Sequence, residues 1–394
     1  MRHSSNNQEI KMRVLLVPMS AMAETGGPSG RCRLLAKGFK EAKLDVATCR
    51  AEDVNYSKIE DIPNYFLDIP MPLGLPKAIA SRSFPVAQKL GITSKKTVRS
   101  FDEVLWLTGN LNYNYLKKSV ESIRKAINDF RPDIVYSEFN ISAMIASKKE
   151  DIPLFTTVSY PTQHEYAHKA ELAGGLNRLI AELGLTEVES ALKLFDWADK
   201  SFCPSIKKLE PIEKANVYYC GSLKTVSANE SSHTRNKILC YMGNGTVSPQ
   251  KMLSVIKKAF LGSDYQVYIA SASLNEFNDK NIHVAKRWDF NSMLDEAVLF
   301  INHGGQNSIA DGLIHKVPQI MVPGKVFERK YNAGSVSNNK AGVVVLDGDF
   351  TSEHIRETAE EIIKSKEMYD NAATLGLEFL RAGGIDVIIR EMKR

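Results

Sequence analysis

Residues 297–313 read AVLFINHGGQNSIADGL: an apolar run that stops at Asn302, then His303, Gly304 and Gly305, then what reads as the first turn of a helix. A buried strand that delivers a histidine and two glycines brings main-chain N–H groups close to whatever lies above the turn. Neither glycine has a β-carbon to keep a ligand away. Asn307 or Ser308 can cap the helix, and Ser308 with Asp311 forms an S-x-x-D capping arrangement. A helix amino terminus carries unsatisfied N–H groups and the positive end of the helix dipole, so the junction suits phosphate. An ordinary strand-to-helix turn, with Asp311 only a cap, satisfies the same pattern.

Short β-branched runs alternate with longer helical segments on both sides of this junction, from Arg13 onward. The alternation predicts an α/β fold of parallel sheets covered by helices. The first half supplies RVLLV, LDVAT, DIVYS and PLFTTV; the second supplies KILCYM, YQVYIA, VLFIN, QIMV and GVVVL. Two such series imply two Rossmann-like domains, and 394 residues suffice for both. Lys224 to Lys237, KTVSANESSHTRNK, is polar, Ser-rich and unable to bury a face, so it reads as a linker. The expected division is residues 1–222, a linker at 223–237, and residues 238–394.

Composition narrows the function. With 43% hydrophobic and 25% charged residues the chain resembles an ordinary soluble enzyme. A net charge of +5 without dense Lys/Arg blocks argues against nucleic acid and suits an anionic small ligand. Five cysteines without a C-x-x-C pair suggest neither a disulfide framework nor a zinc site, and fit a reducing compartment. The amino terminus is polar and no apolar run is long enough to span a bilayer, so the expected location is cytoplasmic. The segment IPNYFLDIPMPLGLPKAIASRSFPVAQKLGITSKK, with five prolines, reads as an irregular excursion or a substrate-facing loop.

Residues 281–336, NIHVAKRW through NAGSV, resemble the nucleotide-sugar-binding region of GT-B glycosyltransferases, the family-1 enzymes and their bacterial relatives, with family-28-like features. The shared pattern is H-G-G-x-x-S, a following acidic residue, G-x-P, a D/E-Q pair and x-x-N-A. The resemblance implies that His303 and the amides at Gly304, Gly305, Asn307 and Ser308 meet the donor diphosphate. It sets Asp311 at the ribose and Glu328 at the sugar hydroxyls. Arg329 replaces the usual Gln and Lys316 the usual Gly, so no sugar identity carries over. The upstream loop in CYMGNGTV borders the donor site in the family, which adds Gly243, Gly245 and Thr246. Trp288 falls near the base-binding edge, and a core position is the alternative for it.

In the first domain GPSGRCRLLA resembles the family's G-H-x-x-R/P-x-x-x-L-A, with Pro28 in the slot of a catalytic histidine. The general base is therefore sought elsewhere: Glu138 at the end of DIVYSE, Glu24 in the crossing loop ETGGPSG, or His164 in SYPTQHEYAH. Structural roles are open to each, as a cap, a solvated acid or a turn residue. LDGDF, residues 346–350, contains D-x-D but reads as a strand-to-helix turn, and no metal or separate cofactor is expected. P-loop and dehydrogenase fingerprints do not occur.

The function these features imply is an inverting glycosyltransferase that moves a sugar from a nucleotide diphosphate, most plausibly UDP, to a hydroxyl of a small hydrophobic or lipid-like acceptor. The alternatives are an inactive glycosyltransferase-like binding subunit, motivated by Pro28, and a sugar-nucleotide hydrolase or epimerase. The lysines of the Pro-rich segment allow peripheral contact with an anionic membrane. The family's terminal helix, expected within AGGIDVIIREMKR, returns to the first domain. Oligomeric state is not encoded in any of these features.

Overall fold

The computed structural model describes residues 11–22, 26–52, 57–74, 98–224, 235–243 and 246–394. Glu24, Gly245 and residues 75–97 of the Pro-rich segment lie outside the described residues.

The first sheet contains β1 (Arg13–Pro18), β2 (Asp45–Ala51), β3 (Asn64–Leu67), β4 (Ile134–Glu138), β5 (Leu154–Thr157), β6 (Lys200–Cys203) and β7 (Val217–Tyr219). Its order is β3-β2-β1-β4-β5-β6-β7 and every pairing is parallel. The second contains β8 (Lys237–Tyr241), β9 (Gln266–Ala270), β10 (Phe277–Asp279), β11 (Ile282–Ala285), β12 (Ala297–Asn302), β13 (Gln319–Met321) and β14 (Gly342–Val344). Its order is β10-β11-β9-β8-β12-β13-β14, and only β10 runs antiparallel. Each sheet reverses its winding once, between β1 and β4 and between β8 and β12. Ligands of open α/β sheets collect at the carboxyl ends of the strands beside such a reversal. Glu138 ends β4 next to Pro18 of β1, and Asn302 ends β12 opposite Tyr241 of β8.

Two expectations need correction. The Pro-rich excursion begins with regular structure, since Asn64–Leu67 pair in parallel with β2, Cys49 opposite Tyr65. Four residues at a sheet edge give too short a pattern to stand out among prolines. The loop ETGGPSG is also shorter than its glycines suggest, because the first helix already runs from Gly26 to Glu41. Pro28 suits the first turn, where the N–H that it lacks would have no helical partner.

Leu35 and Phe39 of that helix are fully buried. A β-carbon on Gly38 would lie 2.8 Å from Ile385 Cγ2, so this glycine admits the last helix, Ile385–Met392. Val387, Ile388 and Met392 join Leu16, Leu35, Phe39 and Val46 in one apolar cluster, which ties the end of the chain to the first domain. A second tie runs the other way: Ile206 and Leu209 of the first half are buried among Ile309, Leu313, Val336 and Phe379. Burying each such side chain contributes roughly 1.5–3 kcal/mol, so this joint holds the two sheets in register. All five cysteines are buried and unpaired. Burial pushes the thiols of Cys32, Cys49 and Cys240 up to about 12, which leaves them poor nucleophiles. Among the described residues no helix is long and apolar enough to cross a membrane.

Candidate active site

At the end of β12 the chain turns directly into the helix Gln306–Ile314, whose amino-cap residue is Gly305 (φ −69°, ψ 138°), with no side chain capping it. The expected S-x-x-D cap is absent because the helix starts two residues before Ser308. Asn307 and Ser308 therefore lie inside its first turn, and Asp311 lies beyond it. The consequence favours a ligand: the first-turn amides at Gln306, Asn307 and Ser308 have no capping side chain to satisfy them. Gly304 has a different part. Its N–H donates to Asn302 Oδ1 at 2.8 Å, so it is spent inside the turn. Its φ of 76° and the Arg329 carbonyl, 2.9 Å from where a β-carbon would stand, exclude other residues.

His303 is buried, with Nδ1 3.4 Å from the Tyr241 carbonyl oxygen and its ring edge-on to Tyr241. Gly243 (φ 58°) lies against one face, and a β-carbon on Gly305 would meet Nε2 at 2.5 Å. Burial, followed by the charge of Arg329, brings the imidazole pKa down to about 3. His303 is thus neutral, a hydrogen-bonding group and not a fixed charge.

Gly243, Asn307 and Ser308 of this corner line a cavity of about 580 Å³, whose walls also include Val247, Ser271, Trp288 and Asp311. Trp288 is a wall residue; it is half-buried, and its Nε1–H donates to the Ile269 carbonyl at 3.1 Å. Lys224, from the start of the linker, also lines the cavity and pairs with Asp311 at 2.6 Å. The other Asp311 oxygen, Oδ1, is buried with no hydrogen-bond partner. Thr246 donates from Oγ1 to the Met242 carbonyl at 2.9 Å and so shapes the loop below.

The first-domain edge is built from charge. Glu138 is 1% exposed; Arg31 Nε donates to its Oε1 at 2.5 Å, and Thr157 Oγ1 donates to its Oε2. Burial raises the Glu138 pKa, against the opposing pull of Arg31 and Thr157. Burial works to lower that of Arg31, but Glu138 and Glu328 outweigh it, and the guanidinium stays charged. Arg31 Nη1 also lies 3.4 Å from Gln306 Oε1, while Gln306 Nε2 donates to Glu210 Oε1 at 2.9 Å. A guanidinium has only donors, so the Gln306 amide has one satisfactory orientation. Tyr160 N–H donates to the other Glu210 oxygen at 2.7 Å. Burial pushes Glu210 up to about 7 despite these hydrogen bonds. Glu328 is exposed at the start of the helix Phe327–Asn338, and its charge acts on Arg31, Glu138 and Glu210.

Glu138 therefore stands at the strand end that the sequence indicates, but both its oxygens are engaged. His164 belongs to another cluster, with Nδ1 2.8 Å from Ser190 Oγ and its ring stacked on His168. Sequence reading missed Lys224, Gln306 as a bridge, and Glu210. Arg31 stood at the R/P position of the family pattern, a signal that was available. Glu210, within KKLEPIEK, looks like one more surface charge.

Residues 249–381 match the glycosyltransferase family 28 C-terminal domain. The uncharacterized UDP-glucosyltransferase YojK of Bacillus subtilis (strain 168) is 30% identical over 94 residues, 23% of this chain and 22% of its own length. NDP-glycosyltransferase YjiC of the same organism is 20% identical over 311 residues, 71% of this chain and 77% of its own. The crystal structure of CalG4, the calicheamicin glycosyltransferase, superimposes with a TM-score of 0.75 at 14% identity, covering 98% of each chain. The likeness to solved glycosyltransferases gives this chain the GT-B fold, two parallel-dominated α/β halves. The match to the glycosyltransferase family 28 C-terminal domain falls within the half of the chain built on the second sheet.

Proposed function

We propose that the protein is an inverting glycosyltransferase using a UDP-sugar and a small hydrophobic or lipid-like acceptor bearing a hydroxyl. The observation that carries this reading is the uncapped helix start at Gln306–Ser308, whose Asn307 and Ser308 line the 580 Å³ cavity. Diphosphate oxygens accept from the first-turn amides and from His303 Nε2–H, in the tautomer that gives up the long Nδ1 contact to the Tyr241 carbonyl. The helix dipole favours the negative charge that builds on the leaving group. The nucleoside extends toward Trp288, with Asp311 Oδ1 free to accept from a ribose hydroxyl. UDP is preferred to TDP because it is the commoner donor among family-1 enzymes and because YojK is named for it. The exposed Glu328 holds sugar hydroxyls at the cleft. Transfer needs no metal at the diphosphate and no cofactor besides the donor.

Glu138 acts through Arg31. It fixes the guanidinium that, through Gln306, aligns the donor helix with the first sheet. Glu138→Gln should then lower kcat much more than it weakens donor binding; equal rates would remove Glu138 from the machinery.

The deciding experiment supplies a panel of UDP- and TDP-sugars with and without lipid and polyketide alcohols and follows release of free nucleotide diphosphate. Release that depends on acceptor is expected, with inverted anomeric configuration in the product. Equal release without acceptor would mean hydrolysis, and binding without release would contradict turnover.

A further inference from the structure

His164, His168 and Glu189 bring two imidazoles and a carboxylate together, and none of the three lines the donor cavity. His164 Nε2 lies 3.4 Å from Glu189 Oε2, and His168 Nε2 lies 3.6 Å from Oε1. A tetrahedral zinc ion, with bonds of about 2.0–2.1 Å to nitrogen and oxygen, separates its ligand atoms by about 3.3 Å. The spacing is thus close to a coordination shell.

The outer nitrogen of each ring is already held. His168 Nδ1 lies 3.1 Å from the His164 carbonyl oxygen, and His164 Nδ1 lies 2.8 Å from Ser190 Oγ. A carbonyl can only accept, so His168 carries its proton on Nδ1 and, when neutral, turns the lone pair of Nε2 toward Glu189. Such an outer contact is what fixes the tautomer of a metal-binding histidine. Ser190 Oγ can donate or accept, so it can hold His164 in the tautomer that leaves Nε2 open. Lys193 does not fill the gap, since its ammonium pairs with Glu165 and Asp196. In neutral His168 that lone pair faces the Glu189 carboxylate, and a cation between the two relieves the repulsion.

We propose that His164, His168 and Glu189 bind a divalent cation of the zinc class, with water completing its shell. The rings now stack with centroids 3.7 Å apart, and His168, which is exposed, has room to turn its Nε2 toward a shared ion. Imidazole and carboxylate together suit zinc better than magnesium or calcium. The ion joins the turn around His164 to the segment at Glu189. The same turn carries Tyr160 and Tyr166 against Tyr331, and Tyr166 against Phe327, so the ion stiffens one wall of the cleft. It also occupies Nε2 of His164, which then cannot serve as a base.

The test uses the untagged full chain after chelator treatment. Zinc is titrated in competition with a chromophoric chelator, and cobalt is substituted to read its visible ligand-field bands. One equivalent of zinc is expected. His168→Ala and Glu189→Gln should each weaken it at least about tenfold. Nucleotide diphosphate binding should be unchanged in both, which reports an intact fold and separates this site from the donor site. Absence of a bound equivalent, or zinc affinity indifferent to both substitutions, overturns the proposal and leaves a shared proton as the bridge.

Discussion

The end of β12 and the end of β4 occupy corresponding places in the two sheets, yet they are finished in opposite ways. At β12 the chain leaves polarity unspent, with a helix start that no side chain caps and a histidine kept neutral by burial. At β4 the polarity is consumed: Glu138 is closed off by Arg31 and Thr157, and Arg31 reaches on to Gln306. The first arrangement is where we propose that an anion binds, while the second ties that waiting corner to the first sheet. Unsatisfied main-chain groups mark the place of a ligand more clearly than a conspicuous carboxylate does.

The largest effect is expected on the paired side. Arg31→Met leaves Glu138 buried without its cation and should cost about 3–5 kcal/mol in chemical denaturation. Adding Glu138→Leu should restore most of that loss. A single-variant cost below about 1 kcal/mol would show that the pair is not closed in solution.

The waiting side should respond in binding and not in stability. His303→Ala removes one placed hydrogen bond and should weaken nucleotide diphosphate at least about tenfold, or about 1.4 kcal/mol, by calorimetry. Gly305→Ala drives a methyl into the His303 ring and should cost at least as much. Unchanged affinity in both folded variants would erase the contrast between the two strand ends.

A further effect is one of pH. Glu210 titrates near 7 in the folded chain and near 4.5 when unfolded, so its stabilisation is whole below pH 4.5 and is lost as pH rises toward 7. His303, lowered from 6.5 to about 3, acts in the opposite sense, its contribution being present above 6.5 and lost as pH falls toward 3. The difference between Glu210→Gln and the parent chain isolates the first group. The parent should lose stability relative to the variant between pH 5 and pH 8; an equal difference at both would mean that Glu210 is solvated.

Much of the fold was legible because long, apolar, central strands repeat the same grammar: β1, β4, β8 and β12 each stand out as β-branched runs. What escaped was short or peripheral, such as β3 among prolines, three-residue β7, and the β10–β11 hairpin, where few buried side chains carry the pattern. The strand-to-helix corner after β12 was legible because glycine, histidine and helix start are adjacent in sequence. The cap was misread by two or three residues, since Gly305 holds that place before Asn307 or Ser308 is reached. The Arg31–Gln306–Glu210 chain joins positions 275 and 96 residues apart, and no local pattern reveals such a contact.

The central claim is that a diphosphate lies on the first-turn amides of the helix Gln306–Ile314. A crystal structure of the chain with UDP tests it directly. Phosphate oxygens within hydrogen-bonding distance of the Asn307 and Ser308 N–H groups, with uracil beside Trp288, are the predicted result. UDP bound at the Arg31–Glu138 edge, with the helix start facing only water, would contradict it.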